Sequence, residues 1–380
     1  MNSSNVLDMV GRSMAEGVFE TAERKNCPYM IEIRHEFIDH NLCAGLIGML
    51  WKPELVHNAK KYHIPVVNLS NTHGPLPGAG NVLSDDDKVG HLAARHLLSR
   101  GYRHFLGLGV KNAQYSRERL TGFRDSLKEN GFECQTLDLE TMLDTASWSP
   151  QRYQEHIWEQ AKSVIFDLPL DTGLFVVSDW LAWPVLRSVE KHTPQRLQTL
   201  GILGVDNLHG GRFDPRKAIH LSSIQPGFKE SGRLALALMM DHVFDGKELE
   251  IVLRSPPETL IERASTAGPA CADPILAKIL RAIWVGIRQQ EAVTLGDLAR
   301  SHGMSSSTFE KKFRATLGKP ARDMVTEMRI DYAKELLRLK QHPIGEICYL
   351  CGYANPASFS NAFKAVTGLS PRDWQRRSSQ

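Results

Sequence analysis

At 380 residues, 42% apolar and 23% charged, the chain has room for two or three separate cores, and its composition excludes a disordered or fibrous protein. The formal net charge of +3 hides an uneven spread: from Asp273 onward there are 17 Lys/Arg against 10 Asp/Glu, and before it 29 against 33. A basic module behind a mildly acidic one fits a nucleic-acid reader joined to a small-molecule sensor.

The six cysteines, at 27, 43, 134, 271, 348 and 351, are too scattered for a disulfide framework. Cys348 and Cys351 make a C-x-x-C, but no second pair completes a tetrahedral site, so both read as small core residues and no metal is expected. Asp8 and Glu16 interrupt any leader-like apolar run, and LALALMM at 234–240 is too short to span a bilayer. A cytoplasmic, reduced protein with no membrane partner is the expectation.

In chain order, residues 6–24 read as an amphipathic helix, followed by a short strand at 30–33. Strands and helices then alternate. AGLIGML (44–50), PVVNLS (65–70), HFLGLG (104–109), LFVVSD (174–179) and TLGILGVDN (199–207) read as strands. Helices are expected at PELVHNAKKY, at 87–100, at RERLTGFRDSLKENGF and at LAWPVLRSVEKH, with GPLPGAG (74–80) a loop. The alternation implies parallel sheets covered by helices on both faces, an α/β fold.

Ligands of such sheets bind beyond the carboxyl ends of the strands, where Asp85, Asp179 and Asp206 fall. Each either caps the helix that follows or offers its carboxylate to paired hydroxyls, as on a sugar. GLGVKN (107–112) lacks the third glycine and the acidic ribose partner of a dinucleotide fingerprint. No nucleophile–base order stands out, so neither catalysis nor a cofactor is expected.

GPACADP (268–274) reads as a linker, with Pro274 opening a helix to 290. VTLGDLARSHGMSSSTFEKKFRATLGKP (293–320) reads as a helix-turn-helix: Thr294 and Ser305 as caps, a turn at His302–Met304, and Phe309 and Phe313 facing inward. The opposite side of its second helix presents Ser306, Ser307, Glu310, Lys311 and Arg314, with Glu310 and Lys311 expected to read bases. Residues 321–340 form a connecting helix with Met324, Met328, Tyr332, Leu336 and Leu339 on its apolar face. At 1.5 Å per residue it spans about 30 Å, close to the ~34 Å between successive major grooves on one face of DNA. PIGEICYLCGYANPASFSNAFKAVTGLSPRDW (343–374) repeats the pattern, with a turn at Gly352 and apolar Phe359 and Phe363. Asn355, Ser358 and Asn361 are its expected base readers, and Lys364 a phosphate contact.

Ile344, Ile347, Gly352, Tyr353, Phe359, Ser360, Phe363, Lys364, Gly368, Ser370, Pro371 and Trp374 stand at the spacing of the second helix-turn-helix of AraC-type regulators, which the tail resembles. Ala357 and Asn361 depart from it, where a serine and an arginine are common. Residues 65–110 and 116–267, through Val82–Asp85, HLAARHLLSRG, RLTGF, FVVSDWLAWPVL, LGILGVDN, HLSSIQP and PPETLIERAST, resemble the periplasmic-binding-protein-like effector domain of LacI-type repressors. That resemblance implies a two-lobed domain whose cleft is lined at Asp85, Arg119, Asp179 and Asp206. The fold normally begins with a strand, yet only MNSSN precedes Val6, so either an edge strand is missing or the true start lies upstream.

Together these imply a sugar-sensing domain over 1–267, a linker at 268–273 and an all-α DNA-binding domain over 274–380. Its helix-turn-helix motifs lie at about 294–317 and 344–367, joined by a helix at 320–339. The pairing resembles bacterial pentose-operon regulators: a dimer binding operator DNA, responding to D-xylose or a related pentose, and engaging RNA polymerase if an activator. Two rival readings remain: a front domain that serves only as a dimerisation scaffold or senses a non-pentose ligand, and one that retains sugar-converting activity.

Overall fold

The computed structural model describes residues 3–29, 43–50, 54–140, 149–208, 221–291, 294–339 and 342–377. The strand expected at 30–33 lies outside them. The chain divides into two compact units, Met1–Pro194 with Gly201–Ser265, and Gln195–Leu200 with Thr266–Gln380.

The first unit holds two sheets. A four-stranded parallel sheet has the order β1-β2-β3-β9, from Leu46–Gly48, Val66–Asn68, Gly80–Ser84 and Val252–Ser255. A six-stranded sheet has the order β10-β8-β7-β6-β4-β5, with β4 His104–Val110, β5 Gln135–Leu139, β6 Thr172–Val176, β7 Gly201–Val205, β8 Ser222–Gln225 and β10 Thr259–Ile261. Only β10 among these runs antiparallel. Strands β3, β6 and β7 are buried at every residue, as the unbroken apolar runs of a sheet covered on both faces require.

Helices α1 (Ser3–Arg24) and α7 (Phe228–Asp245) pack against each other on the four-stranded lobe, with α2 at Glu54–Lys61. A Cβ on Gly17 or Gly232 would lie 1.9 Å from a backbone oxygen of the facing helix, so the crossing requires both glycines. Helices α3 (Asp86–Ser99), α4 (Gln114–Glu129), α5 (Pro150–Asp167) and α6 (Asp179–His192) accompany the six-stranded lobe. The chain passes between the sheets at Ser84–Asp86, Gln225–Phe228 and Ser255–Thr259, tied where the Asp85 N–H donates to the Ser255 carbonyl at 2.8 Å. Three crossings make a hinge with a cleft at the strand ends. The sequence reading assigned nothing to 134–167, where β5 and α5 lie, and carried the 174–179 strand too far: β6 stops at Val176 and Asp179 opens α6.

The second unit is helical: α8 Pro274–Gln289, α9 Leu295–Ser301, α10 Ser306–Leu317, α11 Ala321–Leu339, α12 Ile344–Leu350, α13 Pro356–Thr367 and α14 Pro371–Arg377. Asp273 caps α8 by accepting from the N–H of Ile275 and Leu276, each at 3.0 Å, and pairs with Lys312 at 2.7 Å. The unit has two small cores that share α11. Met324 and Met328 join Phe309, Phe313 and the apolar face of α8, whereas Ile330, Ala333 and Leu337 join Ile347, Cys348, Cys351, Phe359 and Phe363. One helix thus fixes both helix-turn-helix motifs, and its 19 residues at ~1.5 Å each span about 28 Å. Arg288 of α8 stacks between the rings of Trp284 (4.2 Å) and Tyr332 (4.8 Å) and pairs with Glu335, clamping α8 onto α11. Cys348 and Cys351 are both buried in the second core, and burial pushes the Cys351 thiol up to about 12.

Candidate functional site: a charged cleft and two helix-turn-helix motifs

Helices α3 and α4 touch through glycines: a Cβ on Gly90 would stand 2.2 Å from the Arg119 carbonyl, and one on Gly122 equally close to that of Asp87. That approach brings Arg119, one turn before Gly122, against Asp86 at the start of α3. Arg119 Nε donates to Asp86 Oδ1 at 2.7 Å, and its Nη1 donates to the Val177 carbonyl at 2.5 Å and to Asp206 Oδ1 at 3.3 Å. Arg119 and Asp86 are buried, at 4% and 1% exposure. Burial alone would lower the guanidinium pKa, but Asp86 and Asp206 outweigh it and hold Arg119 charged. Burial pushes the Asp86 carboxyl up, against the pull of Arg119 and Asn71.

Asp206 follows β7 in a turn with φ of +99°, a conformation that side chains rarely adopt, and Asn207 follows at +49°. Its N–H donates to the Ile224 carbonyl at 2.8 Å, and the Ser178 hydroxyl donates to Oδ2 at 2.7 Å. The strained turn is therefore held from β8 and from the α6 entry while the carboxylate faces Arg119. Aromatic rings complete this wall. The guanidinium lies 5.2 Å from the Tyr115 ring centre, the Trp180 indole N–H donates to the Tyr115 hydroxyl, and the Tyr153 ring stacks on Trp180 at 5.5 Å. Burial raises the Tyr115 hydroxyl to about 12. A guanidinium, a carboxylate and apolar ring faces together can bind a polyhydroxylated ring by its edges and its C–H face.

The sequence candidates separate on inspection. Arg119 and Asp206 meet in the cleft. Asp85 caps α3, accepting from the Lys88 N–H at 3.3 Å and pairing with the Lys88 amine at 2.7 Å. Asp179 is 1% exposed; its oxygens accept from Ser223 Oγ at 2.8 and 2.9 Å and from the Leu208 N–H at 2.8 Å, so it braces the loop after β7. Burial, then the charge of Asp206, raise its carboxyl well above the ordinary range. The sequence reading missed Asp86, Asn71, Tyr115, Tyr153 and Trp180. Asp86 had a signal: with Val89, Gly90, Ala93, Ala94 and Leu97 it lies on the buried stripe of α3, where a lone carboxylate demands a partner.

The two helix-turn-helix motifs match position for position. Ser305 and Asn355 cap their helices, Phe309/Phe313 answer Phe359/Phe363, and Gly318 and Gly368 end them in the left-handed region. Ser306, Ser307, Lys311, Arg314, Ser358, Asn361 and Lys364 are exposed on the outer faces. Asn355 Oδ1 accepts from the Ser358 N–H at 2.8 Å, which leaves its amide nitrogen to face outward chemistry. Glu310 is half-buried, with Oε2 3.4 Å from the Ala321 N–H and Arg314 3.7 Å away, so it leans toward the start of α11. No group of metal-ligating side chains and no helix able to cross a membrane occurs among the described residues.

Comparison with known proteins follows this division. A helix-turn-helix domain family matches residues 298–377, and a periplasmic binding protein-like domain family matches 94–266. The chain is 22% identical to the xylose operon regulatory protein of Haemophilus influenzae, over 98% of its own length and 96% of the relative's. It is 24% identical to that of Escherichia coli K12, over 97% and 94%. Among solved structures, one titled xylose-binding transcription activator xylR shares the fold at a TM-score of 0.65 and 23% identity, covering 97% of this chain and 95% of that one. The complex of the transcriptional regulator CelR with cellobiose matches at 0.52 and 16%, covering 69% of this chain and 81% of that one.

Proposed function

We propose that this chain, an AraC-type transcription regulator homologous to the xylose operon regulatory proteins, binds a sugar in its cleft and thereby changes its hold on operator DNA. The observation that carries the sensing half is the buried Arg119 shared by Asp86 and Asp206 at the carboxyl ends of a parallel sheet, beside the rings of Tyr115, Trp180 and Tyr153. Arg119 and Asp206 are the ligand-facing pair; Asp85 and Asp179 shape the segments that carry them. The relatives' names favour D-xylose or a related pentose.

On DNA, Arg314 and Lys364 neutralise phosphates, while Ser306, Ser307, Lys311, Ser358 and Asn361, with the amide nitrogen of Asn355, reach base edges in successive major grooves. Glu310 steers Arg314. The chain works in the cytoplasm as a homodimer and activates pentose-catabolism genes by engaging RNA polymerase. Its sensor spans 1–267, the linker 268–273 and the reader 274–380. A ligand acts only through the difference in its affinity for the two states of the sensor.

The test is the melting temperature of the full chain against a panel of pentoses and hexoses. A binder at about 100 times its dissociation constant adds about 2.7 kcal/mol to the folded state. The expected result is a shift for D-xylose or a near relative, lost in Asp206→Ala. No shift for any sugar, with DNA binding intact, would leave the front domain a dimerisation scaffold.

A further inference from the structure

Asn71 follows β2 on the four-stranded lobe and is 7% exposed. Its amide nitrogen donates to Asp86 Oδ2 at 2.7 Å and to Glu118 Oε2 at 3.0 Å, both on helices of the other lobe. Asp86 gives its second oxygen to Arg119, so Asn71 and Arg119 share one carboxylate. Glu118 is also held by Arg254 from β9, at 2.8 and 3.1 Å. Backbone bonds close the same seam: the Tyr115 N–H donates to the Asn71 carbonyl at 2.9 Å, and the Gln114 N–H donates to that of Thr72 at 2.8 Å. These serve the first turn of α4, whose cap residue Ala113 has no side-chain oxygen to offer. Asn71 therefore sits where one lobe shuts on the other, beside the candidate ligand site.

Carboxylates only accept, so the nitrogen of the Asn71 amide must face them and its oxygen must face away. That oxygen is shielded from solvent and has no hydrogen-bond partner. A buried acceptor without a donor disfavours the state that buries it. Opening the lobes lets water satisfy it. So does closing them over a ligand that brings a hydroxyl.

We propose that Asn71 Oδ1 is an effector contact: it accepts a hydroxyl of the bound sugar in the closed cleft and disfavours closure over an empty one. The inference rests on the sugar-sensing reading above and deepens it. The effector must carry a hydroxyl donor on the side of the four-stranded lobe, besides the groups that meet Arg119 and Asp206. An analogue lacking that one hydroxyl leaves the oxygen unpaired.

The experiment is calorimetric titration of the full chain, wild type and Asn71→Ala, with D-xylose and each of its monodeoxy analogues. If another pentose gives the melting shift, that sugar and its analogues take their place. In the wild type one analogue binds about three- to tenfold more weakly than the parent sugar, the range set by a single neutral hydrogen bond. In Asn71→Ala the parent weakens, and its advantage over that analogue alone falls to about one. Asn71→Asp keeps an oxygen at the position but sets three carboxylates together. It retains the discrimination at lower overall affinity, and serves where the alanine variant does not fold. If every analogue keeps its wild-type ratio in Asn71→Ala, or if Asn71→Asp loses the discrimination, the contact is refuted while sugar sensing stands. If no sugar binds the wild type, the sensing reading falls and this inference falls with it.

Discussion

Replacing Asp86 by alanine strands Arg119. The pair is buried at 1% and 5% side-chain exposure with Nε and Oδ1 2.7 Å apart, and Asp206 offers the guanidinium only a longer contact at 3.3 Å. Removing one partner of a buried pair costs about 3–5 kcal/mol, because the charge left behind is uncompensated. At ~2–4 °C per kcal/mol for a domain of this size, the sensor's melting transition should fall by roughly 6–20 °C. Arg119→Leu should cost a comparable amount, since it leaves Asp86 and the Val177 carbonyl unpaired. The double variant is the decisive one. With both charges gone, no uncompensated charge is left between α3 and α4, and only the Val177 carbonyl and the longer Asp206 contact still lack the guanidinium, so its loss should be well below the sum of the two single losses. The assays are thermal unfolding for the midpoint and urea unfolding for the additivity, both followed by tryptophan fluorescence, to which Trp158, Trp180 and Trp183 of this unit contribute. Additive losses, or an Asp86→Ala midpoint within about 2 °C of wild type, would refute the view that this pair organises the cleft.

Gly122→Ala should destabilise the sensor by about 1–3 kcal/mol, because its Cβ would meet the Asp87 carbonyl at 2.2 Å. Gly11→Ala, with nothing within 4 Å, should instead be neutral or slightly stabilising in the same melt. Asp179 binds its proton more tightly in the fold than in the unfolded chain, so its contribution is full at low pH and declines as pH rises from ~4 toward neutrality. Asp179→Asn escapes that decline. Its stability relative to wild type should therefore grow between about pH 4 and 7 in urea midpoints, and a flat difference would show that Asp179 titrates normally. Arg314→Ala and Lys364→Ala should each weaken binding to every DNA sequence and reduce the slope of log affinity against log salt by ~0.9; an unchanged slope would remove that residue from the phosphate contacts.

The second unit was legible almost to the residue because its signals are local. Caps at Thr294 and Ser305, a left-handed turn at Gly352, and paired phenylalanines at helical spacing each act within one turn. What stayed hidden there was α11's division between two cores, with Ile330, Ala333 and Leu337 completing the second. The first unit was legible as alternating strands and helices, and the rule that ligands gather at strand ends singled out Asp85, Asp179 and Asp206, of which only Asp206 meets Arg119. Its neighbours were harder because they come together through tertiary contact. Nothing local says that Asn71 meets Asp86, or that Tyr115, Trp180 and Tyr153 form one wall. Asp85 and Asp86 show how narrow the margin is: one caps the helix, and its neighbour, turned inward, holds the arginine.

The most direct test is binding of the full chain to a labelled promoter fragment of a pentose-catabolism operon, followed by fluorescence anisotropy with and without saturating D-xylose at fixed salt. The account predicts that the sugar shifts DNA affinity by about 5- to 150-fold, the usual range of coupling between two sites, and that Asp206→Ala binds DNA but loses the shift. Superimposable isotherms with D-xylose and with every other sugar of the panel would contradict it.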